Sequence, residues 1–203
     1  MVSVRKILQA LYYLQSKASQ DNQAKYDVTY LLKLMFFADR YHIRHFGFIA
    51  SGDDYFAMAR GPVASAAYNV LLKQMPNKAN SAERNLIEEV EEKSEFERVI
   101  KKQGDDELSK SFKKALDFAI KIYGKFNQSQ LSDISHDYPE WNKHEEAIRN
   151  GAKRVPMMPI DFFENPQKIV FSNSAGITDD PFKEDEKFLK ILKADFHETH
   201  SSF

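Results

Sequence analysis

The sequence predicts a mainly α fold with a small β-sheet (α+β): a compact helical domain over 1–165, then a linker and C-terminal amphipathic helical tail over 166–203. Three observations lead there. Apolar residues recur at spacings of three and four through several segments, the period of a helix with one buried face. Runs with strand character are few, short and bounded by Gly-Asp and Gly-Pro pairs. After Pro166 the chain turns polar, around Ser-Asn-Ser and Gly176, before an apolar period resumes. With 42% hydrophobic against 29% charged residues over 203 positions, there is enough apolar surface to bury one domain of ordinary size.

Each element follows from its own pattern. Val4, Ile7, Leu8, Leu11 and Leu14 share one face of a first helix. Past the polar SQDNQAK connection, Asp27 is placed to cap a second helix, VTYLLKLMFFADRYHIRHF, which stops at Gly47. Leu31, Leu34, Met35, Ala38 and Tyr41 form its buried stripe. Lys33, Phe37, Arg40 and Arg44 form a second stripe, basic and aromatic, at i, i+4, i+7 and i+11. FIASGDDYFAMA reads as a strand region. Gly61 then permits a strand-to-helix corner, and Pro62, with fixed φ and no amide hydrogen, suits the first position of a helix over 63–75 that Pro76 breaks.

Residues 76–85 read as loop, and 86–103 as a charged stretch with a short strand at 96–100. Leu108, Phe112, Ala115, Leu116, Ala119, Ile122 and Tyr123 give a helix over 107–126. Ser129 is placed to cap LSDISHDY, and Pro139 to start a helix that Gly151 closes. The Pro-punctuated VPMMPIDFFEN ends the domain near Asn165. Phe182, Phe188, Leu189, Leu192 and Phe196 give the tail its amphipathic helix.

Composition excludes several function classes. The formal net charge is -1, so no global basic field draws the chain to nucleic acid. There is no cysteine, which removes thiolate nucleophiles, disulfides and Cys-based zinc sites. The N-terminal apolar run is too short and too interrupted for a signal segment or a membrane span, and a cytoplasmic protein is expected. No Gly-rich phosphate loop or GxSxG elbow occurs. His42 with His45, and His197 with His200, sit three apart without a third ligand, so no metal and no cofactor are expected.

Three motifs occur in order. KLMFFADRYHIRHFG carries Lys33, Phe36, Phe37, His42 and Gly47; ARGPVASAAY carries Gly61, Pro62, Val63 and Tyr68; LSDISHDYPEW carries His136 and Trp141, with PIDFF after it. This set resembles the Panacea, or SocA-like antitoxin, family. The resemblance implies a mostly helical domain with a small sheet, found in phage and bacterial genomes beside toxin genes. It also implies that the domain neutralises a toxin by direct binding, with delivery to a protease as an adaptor route.

Taken residue by residue, most motif positions have structural readings. Gly61 and Pro62 shape a corner, Trp141 is large enough to be core, and His136 suits a helix-end hydrogen bond. The stripe of Lys33, Phe37, Arg40 and Arg44 is either a solvated face with packed methylene stems or a partner surface, since Arg and aromatic anchors concentrate interface energy. The expected partner is a toxin from an adjacent gene. The expected activity is binding rather than catalysis, with no catalytic residue assigned. Two alternatives stand beside it: a DNA-binding regulator using the basic 31–45 helix, and a hydrolase or nuclease with no motif to support it.

Overall fold

The computed structural model describes residues 2–18 and 23–200. Helix α1 (Val4–Lys17) starts at Ser3, whose hydroxyl accepts from the Lys6 amide. Helix α2 (Val28–Phe46) has the predicted ends: the Asp27 carboxylate accepts from Tyr30 N–H, and Gly47 takes the left-handed conformation at φ 83°. Every residue from Tyr30 through Arg44 is buried. Helix α1, the helices over 65–71 and 128–135, the strand over 61–64 and above all the helix over 110–123 surround α2, so the axis of the domain has no solvent face along that length.

Strand β1 (Tyr55–Met58) pairs antiparallel with β2 (Gly61–Ala64), Met58 opposite Gly61 and Ala57 opposite Pro62. The expected strand-to-helix corner is instead a hairpin with Ala59 and Arg60 in its loop. Gly61 has φ +94°, so it is the glycine-specific position the sequence pointed to, inside a different turn. Pro62 does not open a helix. It sits in β2, an edge strand of a three-stranded sheet with β1 at its centre, where a missing amide hydrogen leaves no ladder bond unmade. Helix α3 runs only from Ser65 to Leu71, and Asp53, twelve or more residues back, accepts from the amides of Ala66 and Ala67 at 2.8 Å each.

A second hairpin pairs β3 (Val90–Glu92) with β4 (Arg98–Ile100), and its turn is tied to α2 because Val28 N–H donates to the Phe96 carbonyl at 2.9 Å. Helix α4 (Lys110–Tyr123) follows with Ser109 as its cap. Helix α5 (Gln128–Ser135) is capped by Asn127 and Gln130 in a reciprocal capping box, not by Ser129. Pro139 opens α6 (Pro139–Asn142) as predicted, but the helix breaks there and resumes as α7 (Glu145–Arg149). The Pro-rich segment supplies β5 (Val155–Pro156), the third strand of the first sheet.

The expected boundary near Asn165 does not mark the edge of the core. Asp137 accepts from the amides of Phe171 and Ser172 at the start of α8 (Val170–Ser174). Beyond it Phe182 is fully buried, its ring stacked on Tyr123 at 5.9 Å and on Phe37 at 6.2 Å between centroids. Helix α9 (Glu186–His200) then lies on the domain through Leu189 and through Phe196, which meets Phe163. The mainly α fold with a small antiparallel sheet is as the sequence predicts. No described helix is long and apolar enough to cross a membrane.

Candidate functional site

A groove of about 660 Å³ opens beside the N-terminal half of α2. Val28, Leu32, Val63, Tyr68, Leu72 and Ile148 give it apolar walls. Phe96 stands on it 57% exposed, held by the turn that bonds α2. Lys33 closes the floor, fully buried, with Nζ 2.7 Å from the Pro62 carbonyl oxygen, to which it donates. No carboxylate pairs with Lys33 among the described residues. Burial, and then the charge of Arg60, bring its ammonium down to a pKa of about 7.

Behind this floor, the motif residues form one supporting wall. A side-chain carbon on Gly61 would fall 2.3 Å from Ser135 Oγ and 3.0 Å from Lys33 Nζ, so the approach of lysine, serine and hairpin needs glycine. Ser132 Oγ donates to the Arg60 carbonyl at 2.7 Å, and Trp141 Nε1 donates to the Met58 carbonyl at 3.0 Å. Together α5 and α6 thus pin both sides of the hairpin loop. His136 stacks on Trp141 with centroids 3.7 Å apart, its Nε2 buried and without a hydrogen-bond partner among the described residues. Burial, then Lys33, hold its imidazole down at about 4, so it is neutral around pH 7.

The C-terminal half of α2 is different. Arg40 Nη1 meets both oxygens of Glu140 at 2.5 Å, with both side chains completely buried. Its guanidinium lies 4.4 Å from the Tyr138 ring centroid and 5.2 Å from that of Phe182. Arg44 donates through Nε to the Phe182 carbonyl, through Nη1 to the carbonyls of Phe162 and Glu164, and through Nη2 to Asn165 Oδ1. The two arginines therefore tie the PIDFF segment and the tail onto the central helix.

The stripe of Lys33, Phe37, Arg40 and Arg44 is thereby corrected as a surface. All four side chains are buried, because α2 is enclosed on every side and each guanidinium meets a carboxylate or carbonyl oxygens. The same burial removes the basic face on which a DNA-binding reading of the 31–45 helix stood. Phe36 is core too, its ring 5.9 Å from Tyr55. Among the remaining motif positions, Val63 and Tyr68 line the groove, Gly47 ends α2, and His42 is clipped between the Phe48 carbonyl and Ser111 Oγ. His45 turns away to Glu184, so the two histidines do not converge, and the side chain of His200 lies outside the described residues.

The groove itself was not legible from the sequence, because its walls come from five separated segments whose apolar residues look like ordinary core. Glu140 was missed as well: an acidic residue in the first turn of a helix reads as a solvated partner of the helix dipole. Arg60, exposed at the hairpin tip, lies within ARGPVASAAY, where no sequence signal sets it apart from a solvated arginine.

The model of the family described as Antitoxin SocA-like, Panacea domain matches residues 31–142, more than half of the chain, and the chain belongs to this family. The matched region includes Lys33, the Gly61-Pro62 strand, His136 and Trp141, and ends before the PIDFF segment and Phe182. No curated protein and no solved structure matches the chain.

Proposed function

We propose that this protein is the antitoxin of a toxin–antitoxin pair, and that it neutralises the toxin by binding it directly. Membership of the SocA-like antitoxin family carries this reading. A second feature supports it: Lys33, Val63 and Tyr68 of the motifs line an open apolar groove, with Gly61, His136 and Trp141 behind its floor, an arrangement suited to holding a partner rather than to transforming a substrate. The partner is expected from an adjacent reading frame. Occlusion of the toxin is the simplest route; delivery to a protease is the second, and the two differ in whether the toxin disappears.

The test is co-expression. Toxin from the adjacent frame should arrest growth, this chain should restore it, and the two should co-purify. Toxin that persists at full level during rescue marks occlusion, whereas a shortened half-life marks delivery. Growth arrest that this chain neither relieves nor accompanies by complex formation would overturn the reading.

A further inference from the structure

The groove holds an electrostatic imbalance that the fold itself does not resolve. Lys33 lies under it without an anion, one donor spent on the Pro62 carbonyl. Arg60 is exposed at its mouth, held in place through its own carbonyl by Ser132, and its guanidinium enters no ion pair with the described residues. Lys153 adds a third cation at the rim, against Glu95 in the lining and Asp27, which feels the charge of Arg60 but spends its carboxylate as the cap of α2 on the Tyr30 amide. His136, behind Lys33, is neutral and supplies no counter-charge. Around these cations the walls are apolar, and Phe96 stays exposed on a turn whose backbone is fixed. A surface of this kind is complementary to an apolar chain that brings one negative charge.

We infer that the groove is the toxin-docking site, and that its occupant is an apolar segment of the toxin polypeptide carrying one carboxylate that pairs with Arg60 at the mouth, above Lys33. This rests on the antitoxin reading and names the surface that reading requires. Arg60 makes the direct contact, since it is exposed, its charge acts on Lys33, and Ser132 fixes its backbone. Lys33 acts from beneath through its field, and the arriving carboxylate offsets the mutual repulsion of the two cations. A polypeptide is favoured over a small acid by the Phe96 ring, which lines the groove yet stays 57% exposed, more apolar surface than a small acid held at Arg60 would cover.

The charge arrangement gives the site a pH signature. In the free protein Lys33 loses its proton near pH 7, and a bound carboxylate draws the proton back. Binding therefore takes up a proton above that pH, and affinity should fall by up to about tenfold per pH unit from roughly pH 7 to 9. His136 is neutral throughout this range.

The experiment titrates the purified full chain with the product of the adjacent reading frame across that pH range. Arg60→Glu should weaken binding at least about thirtyfold, as loss of an interface anchor does. Lys33→Met, which keeps the stem and removes the charge, should flatten the pH dependence. Leu72→Asp should block the groove. If the parent binds and all three variants bind like it, the docking site is elsewhere and the antitoxin reading stands. If the parent does not bind, both fall. Native mass spectrometry showing a stoichiometric small organic acid on the purified chain would also overturn a polypeptide occupant.

Discussion

Helix α2 buries three cations within about three turns, and its two ends treat them in opposite ways. At the C-terminal end Arg40 meets Glu140, both arginines meet backbone carbonyls, and aromatic rings of Tyr138 and Phe182 cover the guanidinium of Arg40. At the N-terminal end Lys33 has a single carbonyl and, among the described residues, no counter-ion. Burying a charge is unfavourable unless it is paired and hydrogen-bonded. The paired end therefore reads as a structural clamp, and the unpaired end as a place where the fold tolerates an unfavourable charge beside an open groove.

The largest effect is expected at the clamp. Glu140→Gln leaves Arg40 buried without its carboxylate, which should cost about 3–5 kcal/mol. Urea unfolding monitored by circular dichroism checks this; a loss under about 1 kcal/mol would mean that the carbonyls of Phe162 and Glu164 already satisfy the guanidinium. Next comes the aromatic lid on the same end. Phe182→Ala opens a cavity among Phe37, Tyr123 and Tyr138 and should cost about 3 kcal/mol. Stopping the chain after Asn165 removes that ring altogether and should give an insoluble or molten product; a cooperatively folded fragment would return the tail to the status of an appendage.

The ends of α2 were readable, since Asp27 and Gly47 act locally, and so was the demand for glycine at Gly61. Local signals failed where the decisive partner is remote. Asp53 caps α3 from across a hairpin, Phe182 enters the core from beyond a polar linker, and Arg40 finds its counter-ion a hundred residues away. The basic stripe was legible as a pattern at helical spacing but not as buried, because helical period reports which residues share a face, not what covers that face. The groove is the extreme case, built from segments that touch only in the folded chain.

The unpaired end should respond in the opposite sense. Lys33→Met removes a lone buried charge while keeping the stem's volume, so it should stabilise the fold by about 1–4 kcal/mol at neutral pH. The sign with pH follows from linkage. An unfolded lysine titrates at 10.5 and this one at about 7, so between those values the unfolded chain binds the extra proton. Destabilisation by Lys33 is therefore complete below about pH 7 and is relieved as pH rises toward 10.5. Parent stability should climb over that window relative to Lys33→Met, and parallel curves would mean that Lys33 is solvated in solution. Gly61→Val should be smaller, about 1–3 kcal/mol of backbone strain at φ +94°, and part of it should return when Ser135→Gly clears the clash.

The smallest effect sharpens the comparison with a buried polar group of α2 that carries no charge at all. His42 lies between the two arginines in sequence, with Nδ1 2.9 Å from the Phe48 carbonyl and Nε2 3.0 Å from Ser111 Oγ. With the proton on Nδ1, that nitrogen donates to the carbonyl and Nε2 accepts from the serine, which satisfies a neutral ring completely. Burial lowers its pKa from the ordinary value of 6.5, and the stability the neutral ring confers is present above that value and lost as pH falls below it. Ser111→Ala removes one donor to the neutral form, so it should cost about 1 kcal/mol and move the His42 titration back upward. Ring-proton NMR titration and the urea midpoint at neutral pH measure the two together. If neither changes, Ser111 spends its hydroxyl on Ser109, 2.9 Å away, and the Phe48 carbonyl alone holds the ring.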